Sequence, residues 1–248
     1  MTLNHIGFYV TVLVTHIIQG ITGFAGTLLA MPASLYLVGS ATAVPVLNCL
    51  GLASGIYVYP KNRQFVKWKT LLIALAVMIP SMIGGVFLRQ LLSSRERILY
   101  YILGAIILAL SIKGFYDVFS AGKEKEKRPL PGVIKWSVLV LAGLVHGMFV
   151  CGGPLLIIYM ADCLDRKEEF RATLSTSWIF LNGILLVVHL IEGLWSIELL
   201  KILLISLPVL FLAMFIGSIL YRKMSQKLFT IISYFLLVIS AVSLFFKT

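Results

Sequence analysis

The sequence predicts an all-α polytopic membrane protein built from two inverted-topology repeats. The chain of 248 residues is 60% hydrophobic and only 12% charged, and apolar runs of about 18 or more residues recur along its length. Lipid offers backbone groups no water to bond, so such runs predict helices, and they are too continuous for barrel strands. Two of these runs are broken by glycines, and basic residues collect in short loops between the runs.

The glycine breaks lie at corresponding places in the two halves. The first lies within Gln19–Thr27 and the second within His146–Pro154, and their outer glycines share one offset of 127 residues (147 − 20 and 153 − 26). Inside a helix, glycine costs about 1 kcal/mol relative to alanine and proline about 3 kcal/mol. Broken helices at matching positions of two halves are typical of transporter substrate sites. The alternative is a kink or a close helix contact through small residues.

The order of apolar runs predicts two repeats and a linker. We expect the first repeat over 1–120, a cytoplasmic linker over 121–132 and the second repeat over 133–248. Each repeat opens with a glycine-broken helical hairpin and continues with three transmembrane helices. The predicted helices after the first hairpin are 41–59, 70–92 and 98–119, and those after the second are 172–191, 197–220 and 228–246, with a charged loop over 162–171.

The basic residues predict the orientation in the membrane. If each broken segment enters and leaves on one side, fifteen of the 21 Lys and Arg residues fall in loops on a single side. If each broken segment crosses once, the basic loops divide nearly evenly and favour no orientation. The positive-inside rule therefore favours hairpins, with the basic loops cytoplasmic, both termini outside and a multi-pass location in the cell inner membrane. The net charge of +11 comes from these basic loops, so nucleic-acid binding is not expected.

The candidate substrate site consists of polar and glycine residues at the two hairpin tips and on the helices that follow. Two tips that approach the midplane from opposite faces would present glycine N–H groups and helix N-termini to an anion. No carboxylate lies in the middle of a predicted span, which also favours an anionic substrate. The candidate residues are Gln19, Gly20, Thr22, Gly23, Gly26, Asn48, His146, Gly147, Cys151, Gly152, Gly153, Ser175, Thr176 and Asn182.

Each of these residues also has a structural interpretation. The glycines can serve tight packing, and the hydroxyls of Ser175, Thr176 and Ser177 can bond to the backbone of their own helix. His146 can hydrogen-bond another helix, and Cys151 can act as a small packing residue. These alternatives stay open at the level of sequence.

The sequence contains no motif for an enzyme, a cofactor or a metal centre. It has no phosphate-binding loop, no nucleophile elbow, and three cysteines without C-x-x-C spacing. We therefore predict no enzyme activity, no cofactor and no metal. A coupling proton or sodium ion, and assembly into a homodimer, are left open.

The two glycine segments, G-I-T-G-F-A-G from Gly20 and G-M-F-V-C-G-G-P from Gly147, open two halves of a chain of about 250 residues. This arrangement resembles the sulfite exporter TauE/SafE family. The resemblance implies secondary transport of a small sulfur-containing anion, sulfite or an organosulfonate, with the substrate held between the hairpin tips and alternating access. The alternatives are a membrane-embedded enzyme or scaffold subunit, and a transporter of a small carboxylate without sulfur.

Overall fold

A computed structural model describes residues 3–91, 130–150 and 152–225, together with isolated positions between 105 and 112 and between 227 and 242. All regular structure in this part of the chain is helical, which confirms the all-α class. Its α-helices are α1 (Leu3–Thr22), α2 (Gly26–Val38), α3 (Ser40–Asn62), α4 (Trp68–Leu91), α5 (Gly132–Phe149), α6 (Gly153–Cys163), α7 (Lys167–Ile191) and α8 (Ile197–Arg222), with a 3₁₀ turn at Arg63–Phe65.

Five of these described helices are long and apolar enough to cross a bilayer. The qualifying stretches are Leu3–Thr22, Ala41–Phe65, Trp68–Leu88, Lys167–Ile191 and Ile197–Arg222. The chain is therefore an integral membrane protein, as its composition predicts. The inverted relation of the two halves stays a prediction.

Most helix boundaries agree with the sequence prediction to within a few residues, but the start of α7 lies earlier than predicted. The charged stretch predicted as a loop over 162–171 is a loop only over 164–166, because α7 already begins at Lys167. Glu168 and Glu169 occupy the first turn of α7, where they are favourable for the helix dipole. The helices predicted over 98–119 and 228–246, and most of the linker, lie outside the fully described ranges.

Both glycine-broken segments are helical hairpins. In the first, a Cβ at Gly7, near the start of α1, would lie 3.2 Å from Cδ2 of Leu37, near the end of α2. In the second, Lys135 near the start of α5 forms an ion pair with Asp162 near the end of α6, with 2.6 Å between Nζ and Oδ2. In each segment, the end of the second helix therefore lies beside the start of the first helix.

The chain divides into two compact units. The first comprises 1–71 and 171–223, and the second comprises 72–170 and 224–248. Each unit draws on both predicted repeats, so the duplication and its boundaries at 120 and 133 stay predictions.

In the first unit, α1 packs on α2 and α8, and α3 packs on α2 and α8. The buried positions of α1 follow one helical face as far as Gly20, at Phe8, Val12, Thr15, His16, Gln19 and Gly20, and Thr22 is buried at its end. The helices α1 and α8 approach each other closely at two glycines. A Cβ at Gly20 would lie 3.0 Å from Cα of Gly217, and a Cβ at Gly217 would meet the carbonyl of Ile17. Small residues let these two backbones approach, as in other membrane helix pairs.

In the second unit, α4 and α5 also approach each other closely at glycines. A Cβ at Gly147 would meet the carbonyl of Met82 and lie 3.0 Å from the backbone nitrogen of Val86. A Cβ at Gly85 would lie 3.0 Å from Cα of Leu144. For Gly147 the structure thus supports the packing interpretation.

Candidate functional site

The break between α1 and α2 is a short non-helical turn with two residues in the left-handed backbone region. Gly23 has φ +82° and Ala25 has φ +73°. Glycine adopts this region freely, whereas alanine there is strained by about 1–2 kcal/mol. Thr22 closes the turn, because its hydroxyl donates to the carbonyl of Phe24 at 2.7 Å and accepts from the Phe24 N–H at 3.3 Å. Strain held at a helix break is typical of functional sites.

The first turn of α2 presents unpaired backbone N–H groups beside this break. The first helical hydrogen bond of α2 runs from Leu29 N–H to the carbonyl of Ala25, at 2.8 Å. The amides of Gly26, Thr27 and Leu28 precede it and have no acceptor within the helix. Together with the helix dipole they give the break a positive potential.

Arg171 on α7 is the buried cation of this site. Only 4% of its surface is exposed. Its Nε and Nη2 donate to the carbonyl of Gly20 at 3.1 and 2.6 Å, and Nη2 also donates to Ser218 Oγ at 3.2 Å. The guanidinium carbon lies 4.4 Å from the centre of the Tyr221 ring.

Arg171 has no carboxylate partner among the residues that the structure describes. No described carboxylate forms an ion pair with Arg171, and the first unit contains only two, Glu192 and Glu198. Glu192 follows the far end of α7, about 30 Å along the helix axis from Arg171, and Glu198 is in the first turn of α8. A buried cation without a counter-ion is costly and marks a functional position in membrane proteins.

One helical face of α7 carries the other side chains at the break. Trp178 donates from Nε1 to the carbonyl of Gly23 at 2.9 Å. A Cβ at Gly23 would lie 2.9 Å from Ser175 Oγ and 3.1 Å from Arg171 Cγ. Ser175 is 2% exposed, and its hydroxyl has no hydrogen-bond partner in the described ranges. Ser175 therefore supplies an uncommitted donor next to the break.

The two candidate asparagines, Asn48 and Asn182, contact each other further along α7. Asn48 on α3 donates from Nδ2 to the backbone carbonyl of Asn182 at 3.1 Å. Both side chains are buried, and neither Oδ1 atom has a partner among the residues described. A Cβ at Gly51 would lie 2.6 Å from Asn182 Nδ2 and 3.3 Å from Thr27 Oγ1, so glycine permits the close packing of α3 against these groups.

The remaining candidates of the first unit have structural contacts. Gln19 is buried and donates to Ser54 Oγ, and Gly26 packs on the Gln19 side chain. Thr176 donates to the carbonyl of Ala172 at 2.7 Å, and Ser177 donates to that of Leu174 at 2.6 Å. Thus the back-bonding alternative applies to Thr176 and Ser177, but not to Ser175.

The tip of the second hairpin lies in the second unit. His146 is buried in the last turn of α5, and its carbonyl accepts the Val150 N–H at 2.8 Å. Val150 has φ +56°, an unusual conformation for a β-branched residue. A Cβ at Gly152 would lie 2.7 Å from His146 Cβ, and Gly153 begins α6. Cys151 lies outside the described residues.

The structure thus brings Gln19, Gly20, Thr22, Gly23 and Gly26 together with Asn48, Ser175 and Asn182 in one unit. Sequence reasoning missed Arg171 and Trp178. Arg171, Ser175, Trp178 and Asn182 are spaced four, three and four residues apart, which is the spacing of one helical face. This polar face on an otherwise apolar helix is the sequence pattern from which Arg171 and Trp178 could have been predicted. A buried cation, helix-terminal N–H groups and a hydroxyl donor together suit an anion.

Comparison with known proteins supports the resemblance noted from the glycine segments. The family model "Sulfite exporter TauE/SafE" matches residues 8–244. Among curated proteins, the "Probable sulfite/organosulfonate exporter TauE" of Cupriavidus necator is 30% identical over 162 residues. The match covers 63% of this chain, which spans about 60% of the length of that relative. No solved structure matches the chain. Since the family model covers nearly the whole sequence, the chain belongs to the sulfite exporter TauE/SafE family of membrane exporters.

Proposed function

We propose that the chain is a secondary transporter that moves a small sulfur-containing anion, sulfite or an organosulfonate, across the cytoplasmic membrane by alternating access. Family membership and the name of the Cupriavidus relative support the substrate class. The family consists of exporters, which favours transport over the alternative of a membrane-embedded enzyme or scaffold subunit.

The main observation in support of this proposal is the buried charge of Arg171 at the first helix break, which pairs with no described carboxylate. An anion bound there would supply a counter-charge, accept from the Arg171 guanidinium and Oγ of Ser175, and meet the first N–H groups of α2. Charge-assisted hydrogen bonds in a buried site are about twice as strong as neutral ones. Among the described residues, no carboxylate forms an ion pair with Arg171.

The repeat in the sequence extends this proposal to the second hairpin. Its tip carries glycines at matching positions, and α6 begins there with a proline in its first turn. In transporters with inverted repeats, two such tips line one site near the midplane, and rocking of one repeat against the other exposes it to each side in turn. On the basis of the sequence pattern, His146, Gly152 and Gly153 stay candidates for substrate contacts at the second tip.

A thermal-stability screen of the purified protein tests the proposal. The panel contains sulfite, thiosulfate, an alkanesulfonate, acetate and chloride at equal ionic strength. We expect saturable stabilisation by sulfur-containing anions, since a ligand at a hundredfold excess over its Kd stabilises the folded state by about 2.7 kcal/mol. Equal stabilisation by acetate would support the alternative of a carboxylate transporter. If no anion stabilises the protein in a saturable way, the proposed function is wrong.

A further inference from the structure

The segment that joins α3 to α4, here called the basic loop (61–69), carries a cluster of exposed cations. Four of its residues are basic, and all four are exposed: Lys61, Arg63, Lys67 and Lys69. Trp68 lies among them with 44% of its surface exposed, and its ring packs edge to face on that of Tyr59, with 6.5 Å between the ring centres. Tryptophan and tyrosine at the ends of spanning helices are typical of the level of lipid headgroups. The exposed cations therefore lie at headgroup level.

Hydrogen bonds hold the basic loop in place. The backbone N–H of Lys67 donates to Thr173 Oγ1 on α7 at 3.0 Å, and the neighbouring Val66 is buried. At the end of α3, Asn62 Nδ2 donates to the carbonyl of Val58 at 2.8 Å. A surface that is already ordered loses little conformational freedom when it binds a ligand, which favours binding.

Two more exposed cations lie at the same end of the first unit. Arg222 and Lys223 follow Tyr221, whose ring contacts the guanidinium of Arg171. Arg171 is two residues from Thr173, so the start of α7 contacts both the basic loop and the end of α8. Six exposed cations thus collect at this end of the first unit.

Among its described residues, the first unit has no carboxylate at this end. Residues 1–71 contain no aspartate or glutamate, and residues 171–223 contain only Glu192 and Glu198. Glu192 is 19 residues from Thr173, about 28 Å along the axis of α7, and Glu198 lies in the first turn of α8, at the far end from the cations.

Two described cations of the second unit, in contrast, have a carboxylate partner. Lys135 Nζ lies 2.6 Å from Asp162 Oδ2, and Arg166 Nε lies 3.8 Å from Glu168 Oε2. The first unit supplies no such partner near the basic loop, so its positive charge at headgroup level is available to negative groups of the membrane. Clusters of four or more basic residues beside a spanning helix are typical of surfaces that bind anionic lipid.

From these observations we propose that the basic loop, together with Arg222 and Lys223, binds the headgroup phosphate of an anionic phospholipid. The basic side chains contact the phosphate, and Trp68 and Tyr59 pack against the adjoining glycerol and acyl region. The inference does not rest on the proposed function, because it concerns the exposed surface of the first unit and not the buried guanidinium of Arg171. Since the basic loop is bonded to α7, the bound lipid stabilises the folded first unit.

The test compares phosphatidylglycerol with phosphatidylcholine of the same acyl chains, added to the purified protein in a neutral detergent. At low salt we expect phosphatidylglycerol to raise the melting temperature by at least about 3 °C more than phosphatidylcholine does. Between about 0.1 M and about 1 M salt the Debye length falls from about 10 Å to about 3 Å, so this difference should disappear at the higher concentration.

Variants locate the lipid on the surface. The triple variant Lys61→Gln/Arg63→Gln/Lys69→Gln changes exposed side chains only, and we expect it to lose most of the difference between the two lipids. The matched control is Lys201→Gln, since Lys201 is also exposed but lies near the start of α8, at the far end from the cluster. This control, and likewise Arg171→Gln, should retain the wild-type difference.

Three results would overturn the inference. The first is an equal melting temperature with the two lipids, or a difference that persists at high salt. The second is a wild-type difference in the triple variant, because the lipid would then bind elsewhere. The third is equal stabilisation by glycerol 3-phosphate at the same concentration, which would show that the surface binds free phosphate and not lipid. None of these results affects the proposed function, which is tested with sulfite and depends on Arg171.

Discussion

Replacement of Arg171 by glutamine is expected to weaken anion binding strongly while the protein still folds. The substitution removes the buried positive charge at the first helix break and leaves the anion with neutral donors only. Truncating one partner of a buried, hydrogen-bonded charge pair costs about 2–5 kcal/mol. We therefore expect the Kd for sulfite to rise by at least about thirtyfold, measured by thermal-shift titration in detergent.

Two further variants separate the charge of Arg171 from its structural contacts. Arg171 also holds the carbonyl of Gly20 at the C-terminal end of α1, so its loss lowers stability without ligand as well. Arg171→Lys keeps the charge and loses the two-atom contact, and should bind sulfite with intermediate affinity. Arg166→Gln is the matched control, because this arginine lies five residues earlier with 64% of its side chain exposed. Unchanged sulfite affinity in Arg171→Gln would contradict the assignment of Arg171 to the anion site.

Replacement of Gly217 by alanine is expected to destabilise the protein, against the usual effect of this substitution in helices. Alanine is favoured over glycine inside a helix by about 1 kcal/mol. At Gly217, however, the added Cβ would meet the carbonyl of Ile17 and lie 2.8 Å from Cα of Gly20. Both neighbours are backbone atoms of α1, so relief requires α1 and α8 to separate. Overpacking of this kind costs about 1–3 kcal/mol.

Gly183→Ala provides the matched comparison for Gly217→Ala. Gly183 is also inside an apolar helix, α7, but a Cβ there has no neighbour within 4 Å in the described structure. We expect a raised or unchanged melting temperature for Gly183→Ala and a lowered one for Gly217→Ala. Thermal unfolding followed by size-exclusion fluorescence in detergent measures both. Equal melting temperatures for the two variants would contradict the close α1–α8 contact.

The helical architecture and the positions of both breaks could be predicted because they depend on local properties. Long apolar runs dictate helices in lipid, and glycines with a nearby proline dictate where a helix stops. The structure places the first interruption at 23–25, and in the second hairpin one helix ends at Phe149 and the next begins at Gly153, inside the two glycine segments. The candidates at the first tip and on α3 and α7 could also be found, since polar residues in an apolar span are conspicuous.

Arg171 was missed because its sequence neighbourhood is rich in charge. The run from Asp162 to Arg171 has the composition of a loop, although only Leu164–Arg166 is one. Acidic residues at Glu168 and Glu169 are a start signal for a helix at Lys167, and this signal would have placed Arg171 on the helix face that carries Ser175. Its burial depends on packing against α1 and α8, which no local pattern encodes.

The roles of individual hydroxyls and glycines could not be predicted for the same reason. Ser175, Thr176 and Ser177 are adjacent in sequence, yet two of them bond to their own helix while Ser175 faces Gly23. Likewise Gly147 packs against α4, whereas Gly23 adopts a left-handed backbone conformation. These differences follow from which helix lies opposite each residue, which is a property of the folded chain.

Counterflow in proteoliposomes tests most directly whether the buried cation at the first break serves anion transport. Liposomes with reconstituted protein are loaded with unlabelled sulfite and diluted into a trace of radiolabelled sulfite. For the wild-type protein and Arg166→Gln we predict transient accumulation of label above that in protein-free liposomes, and for Arg171→Gln at equal reconstitution we predict none. Accumulation by Arg171→Gln at the wild-type rate would contradict a role of Arg171 in transport. Absence of accumulation by the wild-type protein would contradict sulfite transport itself.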